Sequence, residues 1–133
     1  MERSERVTTA GIYIKDGRVL VAKRLGGGSI SEKWEFPGGK NRWGESVADT
    51  LVREYLEELG VDIIVKDVVF TYEFENKGTL YHLKAALIDI PRPDFTLHFH
   101  SEALMVGRER LLTLDFAPSD RQIASYLVEN NFL

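Results

Sequence analysis

The rhythm of apolar and polar residues changes several times along the chain, and each change marks an element. Arg6 to Ile14 and Arg18 to Arg24 are rich in aliphatic and β-branched residues, and Lys15-Asp16-Gly17 between them has the chemistry of a tight hairpin turn. A glycine-rich loop, Leu25-Gly26-Gly27-Gly28-Ser29, precedes the run Trp34-Glu35-Phe36-Pro37-Gly38-Gly39. The period then lengthens to that of a helix. Ser46 can cap it, Asp49 can reciprocate, and Ala48, Val52, Tyr55, Leu56 and Leu59 predict one apolar stripe. Gly60 ends the helix as a left-handed residue. Ile63 to Glu75 and Thr79 to Ile90 read as long strands joined at Asn76-Lys77-Gly78, and Asp94 to His100 as a further short strand. Pro118-Ser119-Asp120 opens a last helix that buries Ile123, Tyr126 and Leu127. Hairpins around a mixed sheet with flanking helices predict an α+β fold in an α/β/α layered arrangement.

Composition narrows the class. With 133 residues, 44% hydrophobic and 29% charged, the chain has the make-up of one globular domain spanning 1–133. No run of ~20 apolar residues is present to cross a bilayer, and the charged start Met1-Glu2-Arg3-Ser4-Glu5-Arg6 lacks a signal-peptide core. A cytoplasmic location without membrane attachment is the expectation. There is no cysteine, so any metal is held by oxygen or histidine. A net charge of −4 argues against binding a nucleic-acid polymer. It leaves a small nucleotide possible, because a divalent cation reverses the local sign of an acidic site.

The chemistry concentrates in Arg53-Glu54-Tyr55-Leu56-Glu57-Glu58-Leu59-Gly60. Glu54, Glu57 and Glu58 share one helix face, and the predicted apolar stripe points roughly the other way. Two readings are open from geometry alone. One is a solvated acidic face. The other is a cation site: Glu54 and Glu58 repel by about 0.2–0.5 kcal/mol, no lysine relieves them, and they crowd the helix end that disfavours negative charge. Oxygen ligands grouped this way suit Mg²⁺ or Mn²⁺.

From Gly39 onward the chain reads glycine, five residues, Glu45, seven residues, then Arg53-Glu54-Tyr55-Leu56-Glu57-Glu58-Leu59-Gly60-Val61. This resembles the Nudix box, G-x5-E-x7-R-E-U-x-E-E-x-G-U, where U is bulky and aliphatic. Tyr55 departs from the pattern and should alter packing beneath the helix rather than chemistry. Trp34 to Lys40 resembles the segment before the box in the MutT-like branch, which includes oxidised-purine triphosphatases and CTP pyrophosphohydrolases. A weaker likeness runs through both hairpins into Phe116-Ala117-Pro118-Ser119-Asp120.

The resemblance implies a Nudix-type α/β/α sandwich with a mixed β-sheet. It also implies a Mg²⁺-dependent hydrolase, with Mn²⁺ as a possible substitute, that cuts a nucleoside triphosphate into monophosphate and diphosphate as a monomer or homodimer. Glu54, Glu57 and Glu58 would hold the metal with the carbonyl of Gly38. Arg53 would orient the carboxylates, Glu45 would support the loop, and Gly39 would permit a tight backbone approach. Glu54 or Glu57 would serve as base. Arg24 is placed like a phosphate contact, although a strand-end charge explains it equally. Asp120 is placed like a residue that reads the base edge, although an Asp in a first helical turn is ordinary. Trp34, Phe36, Tyr72 and Phe74 are aromatic candidates for stacking. Where many MutT-like relatives carry a further glutamate, this chain has His100, with Glu102 two residues on. Either could act as ligand or base, or His98 and His100 could be structural. A nucleotide-sensing module, or a hydrolase of another nucleoside-diphosphate derivative, is the competing implication.

Overall fold

The computed structural model describes residues 4–26 and 32–133; residues 27–29 of the glycine-rich loop lie outside the described residues. Within them the elements are β1 (Ser4–Lys15), β2 (Arg18–Arg24), β3 (Trp34–Glu35), α1 (Val47–Leu59), β4 (Ile64–Asn76), β5 (Thr79–Asp89), β6 (His100–Val106), α2 (Arg108–Leu111) and α3 (Pro118–Glu129). Both expected hairpins form. Asp16 and Gly17 take φ of 53° and 73°, and Lys77 and Gly78 take 50° and 81°. Two successive left-handed residues give the turn whose twist matches the strands it joins.

The sheet runs β3-β2-β1-β5-β4, with β6 on the other side of β2. β1 and β5 are parallel from Ser4↔Thr79 to Tyr13↔Ile88, and the other pairings are antiparallel. Alternation along the strands feeds two cores. Val19, Val21, Leu83 and Ala85 face Ile123, Ala124 and Leu127 of α3. Leu20, Ala86 and Ile88 face Leu51, Tyr55 and Leu59 of α1. A mixed sheet between helices on opposite faces is the expected layered α+β fold.

The ends of α1 form as expected. Ser46 Oγ accepts from Asp49 N–H at 3.0 Å, Asp49 accepts from Ser46 N–H at 3.2 Å, and Gly60 closes the helix at φ 67°. The buried face differs from expectation. It comprises Thr50, Leu51, Tyr55, Glu58 and Leu59, whereas Ala48 is exposed and Val52 and Leu56 are 40% and 54% exposed. Leu51, Tyr55 and Leu59 set the packing line. The helix is therefore rotated from the expected stripe, and Glu58 turns inward instead of projecting beside Glu54 and Glu57. Tyr55 locks this rotation: its ring fills the space where Gly11 has no Cβ, and its hydroxyl donates to the Gly11 carbonyl at 3.2 Å. Full burial of such a ring contributes about 1.5–3 kcal/mol.

Asp94 to His100 is not a strand. Its alternating Phe95, Leu97 and Phe99 resemble one, but Thr96 N–H bonds the Leu59 carbonyl at 2.9 Å and His98 N–H bonds the Glu58 carbonyl at 3.3 Å. The segment satisfies the last carbonyls of α1, which have no partners within the helix. The actual strand, β6, begins where the expected one ends and pairs with β2. His98 and His100 therefore do not share a strand face. In α3, Ile123 and Leu127 are buried, and Tyr126 is partly buried against Phe70 at 4.7 Å.

Candidate active site

The site begins with a backbone ladder. Residues 37–41 run beside β1: Gly11 N–H bonds Pro37 O at 2.8 Å, Thr9 N–H bonds Gly39 O at 2.8 Å, and Asn41 N–H bonds Val7 O at 2.9 Å. The approach is so close that a Cβ on Gly38 would collide with the Thr9 carbonyl. A Cβ on Gly39 would lie 2.5 Å from the Glu54 carboxyl carbon. The glycines thus bring a bare backbone against a carboxylate of α1. The Pro37 and Gly39 carbonyls are used by β1, while that of Gly38 has no hydrogen-bond partner among the described residues.

Arg53 organises the carboxylates on one side. Its Nε and Nη2 donate to both oxygens of Glu45 at 2.7 and 2.9 Å, and its Nη1 donates to Glu54 at 2.7 Å and more loosely to Glu57 at 3.4 Å. Nη2 also reaches the Lys40 carbonyl at 3.3 Å. The forked pairing, helped by the Arg42 N–H, lowers the Glu45 carboxyl to about 2. Glu57 is the most open of the three, with its side chain 46% exposed.

Glu58 is in the opposite condition. Burial pushes it up to about 9, aided by a hydrogen bond with Glu54 and the charges of Glu35 and Glu54. Glu35 and His100 are its buried neighbours, and ligand atoms of the three lie within 4.8 Å of one another. His100 Nε2 is 2.8 Å from Glu35 Oε2 and 3.8 Å from Glu58 Oε1. Glu35 Oε1 accepts from Arg24 Nη1 at 3.1 Å. Too few cations face these carboxylates, and a divalent ion would relieve their repulsion. Glu58, with Glu54 and Glu57 lining the same cavity and the Gly38 carbonyl unused among the described residues, fits such an ion.

These groups surround a cavity of ≈ 560 Å³. Arg24, Gly38, Gly39, Arg53, Glu54, Glu57, Glu58 and Asp120 all line it. Glu45 stands behind Arg53, and His100 is buried behind Glu35 and Glu58. Glu102 is exposed on β6, opposite Lys23 and away from the cavity lining. Of the aromatic candidates, Phe36 and Phe74 line the cavity, while Trp34 and Tyr72 pack in the α3 core. Asp120 Oδ1 accepts the Phe36 N–H at 3.0 Å, and burial with the nearby Glu35 charge raises the carboxyl to about 8. Near neutrality it mostly holds its proton, so it can donate as well as accept.

The lining residues that sequence reasoning did not single out include Glu35 and Phe99. A signal existed for Glu35, a charge set between Trp34 and Phe36 in an otherwise apolar flank. Phe99 had none, because its segment reads as a strand.

Comparison with known proteins agrees with this geometry. The NUDIX domain model matches residues 5–124. The CTP pyrophosphohydrolase of Escherichia coli (strain K12) is 36% identical over 115 residues, covering 84% of this chain and 82% of that protein. The putative 8-oxo-dGTP diphosphatase 2 of Mycobacterium tuberculosis (strain ATCC 25618 / H37Rv) is 31% identical over 119 residues, covering 87% of this chain and 83% of that protein. Among solved structures, the E. coli ORF135 protein superposes with a TM-score of 0.84 at 29% identity, over 97% of this chain and 92% of its own. With a family model that spans most of its length, and with Gly39, Arg53, Glu54, Glu57 and Glu58 of the box lining one cavity, this chain belongs to the NUDIX domain family.

Proposed function

We propose that this single-domain chain is a Mg²⁺-dependent nucleoside triphosphate pyrophosphohydrolase. It takes a nucleoside or deoxynucleoside triphosphate and water to a monophosphate and diphosphate. The observation that carries the reading is that Glu54, Glu57 and Glu58 open into the same cavity as Arg24 and the Phe36–Asp120 pair. One end offers acidic groups short of positive charge, the other an aromatic face beside a carboxyl of adjustable protonation. A polyphosphate chain attached to a base has this polarity. The relatives named for CTP and for 8-oxo-dGTP bracket the base: cytosine and an oxidised guanine both present exocyclic amines that Asp120 can accept from.

Glu54, Glu57, Glu58 and the Gly38 carbonyl would hold the divalent ions. When bound, the ions neutralise phosphate oxygens and make water a stronger nucleophile. The chain's own residues do the rest. Arg53 fixes Glu54 against Gly39, Glu45 fixes Arg53, and Arg24 faces the phosphates from the end of β2. Glu57, only loosely held by Arg53, is free to take the proton of the attacking water.

The experiment is a panel of nucleotides incubated with Mg²⁺, with diphosphate and orthophosphate detected separately. Diphosphate release from CTP or 8-oxo-dGTP is the expected result. Binding without turnover across the panel would point to a sensing module, and cleavage only of nucleoside-diphosphate derivatives to a different linkage.

A further inference from the structure

His100 is 3% exposed and its Nδ1 has no hydrogen-bond partner among the described residues. With Glu35 and Glu58 it forms a compact trio that resembles a metal site. A histidine that ligates through Nε2 carries its proton on Nδ1 and gives it to an acceptor. Here that proton would be stranded in the interior, which is costly. The other tautomer leaves an unpaired acceptor there, a smaller cost than an unpaired N–H. Nε2–H donates to Glu35 at 2.8 Å, and Nδ1 keeps only a lone pair. Glu58, at 3.8 Å, is beyond hydrogen-bond reach of the ring and stays available to a cation.

Both Glu35 oxygens are then engaged, one by His100 and one by Arg24. The strands are built for this. The β2–β6 pairing shifts between Lys23 and Arg24, so Arg24 lies opposite His100 and Ser101 is the extra residue. On the other edge of β2, Ala22 pairs with Glu35. Three adjacent strands deliver one residue each, and the bulge re-aims the side chains at the cavity edge.

We propose that His100 is a positioning residue: as the neutral Nε2-protonated tautomer it clamps Glu35, whose second oxygen fixes the Arg24 guanidinium at the cavity wall, and it stands outside the metal coordination. The kinetic consequence rests on the reading of Arg24 as a phosphate contact. The tautomer does not.

Two measurements test it. In a long-range proton–nitrogen correlation spectrum near pH ~8, above the ordinary histidine range, His100 shows Nε2–H both without metal and at saturating Mg²⁺. An Nδ1–H pattern, an imidazolium, or an Nε2 resonance displaced by Mg²⁺ would overturn the assignment. In kinetics, His100→Leu raises KM about tenfold with a smaller change in kcat, and His100→Gln, which retains a donor, recovers most of the loss. A fall in kcat at constant KM, or equal behaviour of the two variants, also overturns it. If His100→Leu does not fold, the spectrum of the wild-type protein decides alone. If the protein hydrolyses no nucleotide, the proposed function fails while the spectrum still reports the clamp.

Discussion

Two sets of carboxylates meet on α1, and they live under opposite conditions. Glu45 and Glu54 share Arg53, whose fork saturates Glu45 and leaves it ionised down to about pH 2. Glu58, packed against Glu35 and His100, is held protonated up to about 9. The same residue type, once just before α1 and once near its end, is thus held at opposite ends of the carboxyl range. Burial on one side and an arginine on the other account for the difference: Glu58 is withdrawn from water, while Glu45 is held by the Arg53 fork. A site for a dissociable dication needs both, a rigid half that keeps its shape and a half whose electrostatics improve on loading.

The largest test of that division is Glu57, which stands between the halves and is only loosely tied to Arg53. Glu57→Gln is expected to lower kcat by about 10²–10⁴-fold with the melting temperature little changed. Unaltered turnover would refute its role. Next is the rigid half. Arg53→Met should lower the urea midpoint by more than loss of an ordinary surface pair, because it leaves Glu45 and Glu54 without their shared partner. A loss no larger than that of a surface pair would show that the fork organises nothing.

The pH dependence of the metal-free protein separates the halves by sign. The folded value of Glu45 lies below its unfolded one, so its contribution is full above about pH 4.5 and is lost as pH falls toward about 2. Glu58 behaves in reverse. Its raised folded value means that the native state keeps a proton the unfolded chain releases, so stability declines as pH rises from about 4.5 to about 9. The slope is at most about 1.4 kcal/mol per pH unit for one proton. Thermal melts should show that decline, Glu58→Gln should flatten it, and Mg²⁺ should stabilise more at pH ~8 than at pH ~5 because binding displaces a proton. A parallel decline in Glu58→Gln would remove Glu58 as its source. The last test concerns Asp120, raised to about 8 by burial and by the nearby Glu35 charge. Asp120→Asn should become progressively more stable than the parent as pH rises from about 4 to about 8, with no difference below its unfolded value near pH ~4. A gain persisting in acid would trace instead to the Phe36 contact.

Much of this was legible in the residues. The hairpins at Asp16-Gly17 and Lys77-Gly78, the capping box of Ser46 and Asp49 and the left-handed Gly60 are local devices, decided by chemistry within a few positions. The box carboxylates were identifiable for the same reason. What stayed hidden depends on distant partners. Val52 and Leu56 continue an apolar period, yet Gly11, far away in sequence, leaves the gap that draws Tyr55 in and rotates the helix. The alternation of Phe95, Leu97 and Phe99 is a fair strand pattern, but nothing local reveals that the carbonyls of Glu58 and Leu59 claim that backbone. Glu35 becomes a site residue only when β6 and β2 bring His100 and Arg24 to it.

Tyr55 against Gly11 carries a last consequence, for how such a sequence can drift. Neither position can change freely while the other stands still: any Cβ at Gly11 meets the ring, and a smaller residue at position 55 opens a void beneath the helix. Gly11→Ala and Tyr55→Leu should each be harmful alone and much less so together, because the two sites form a matched set. Because that set fixes the roll of α1, it also dictates which glutamate faces inward, and a lineage that exchanged it would have to retune the carboxylates of the cavity as well.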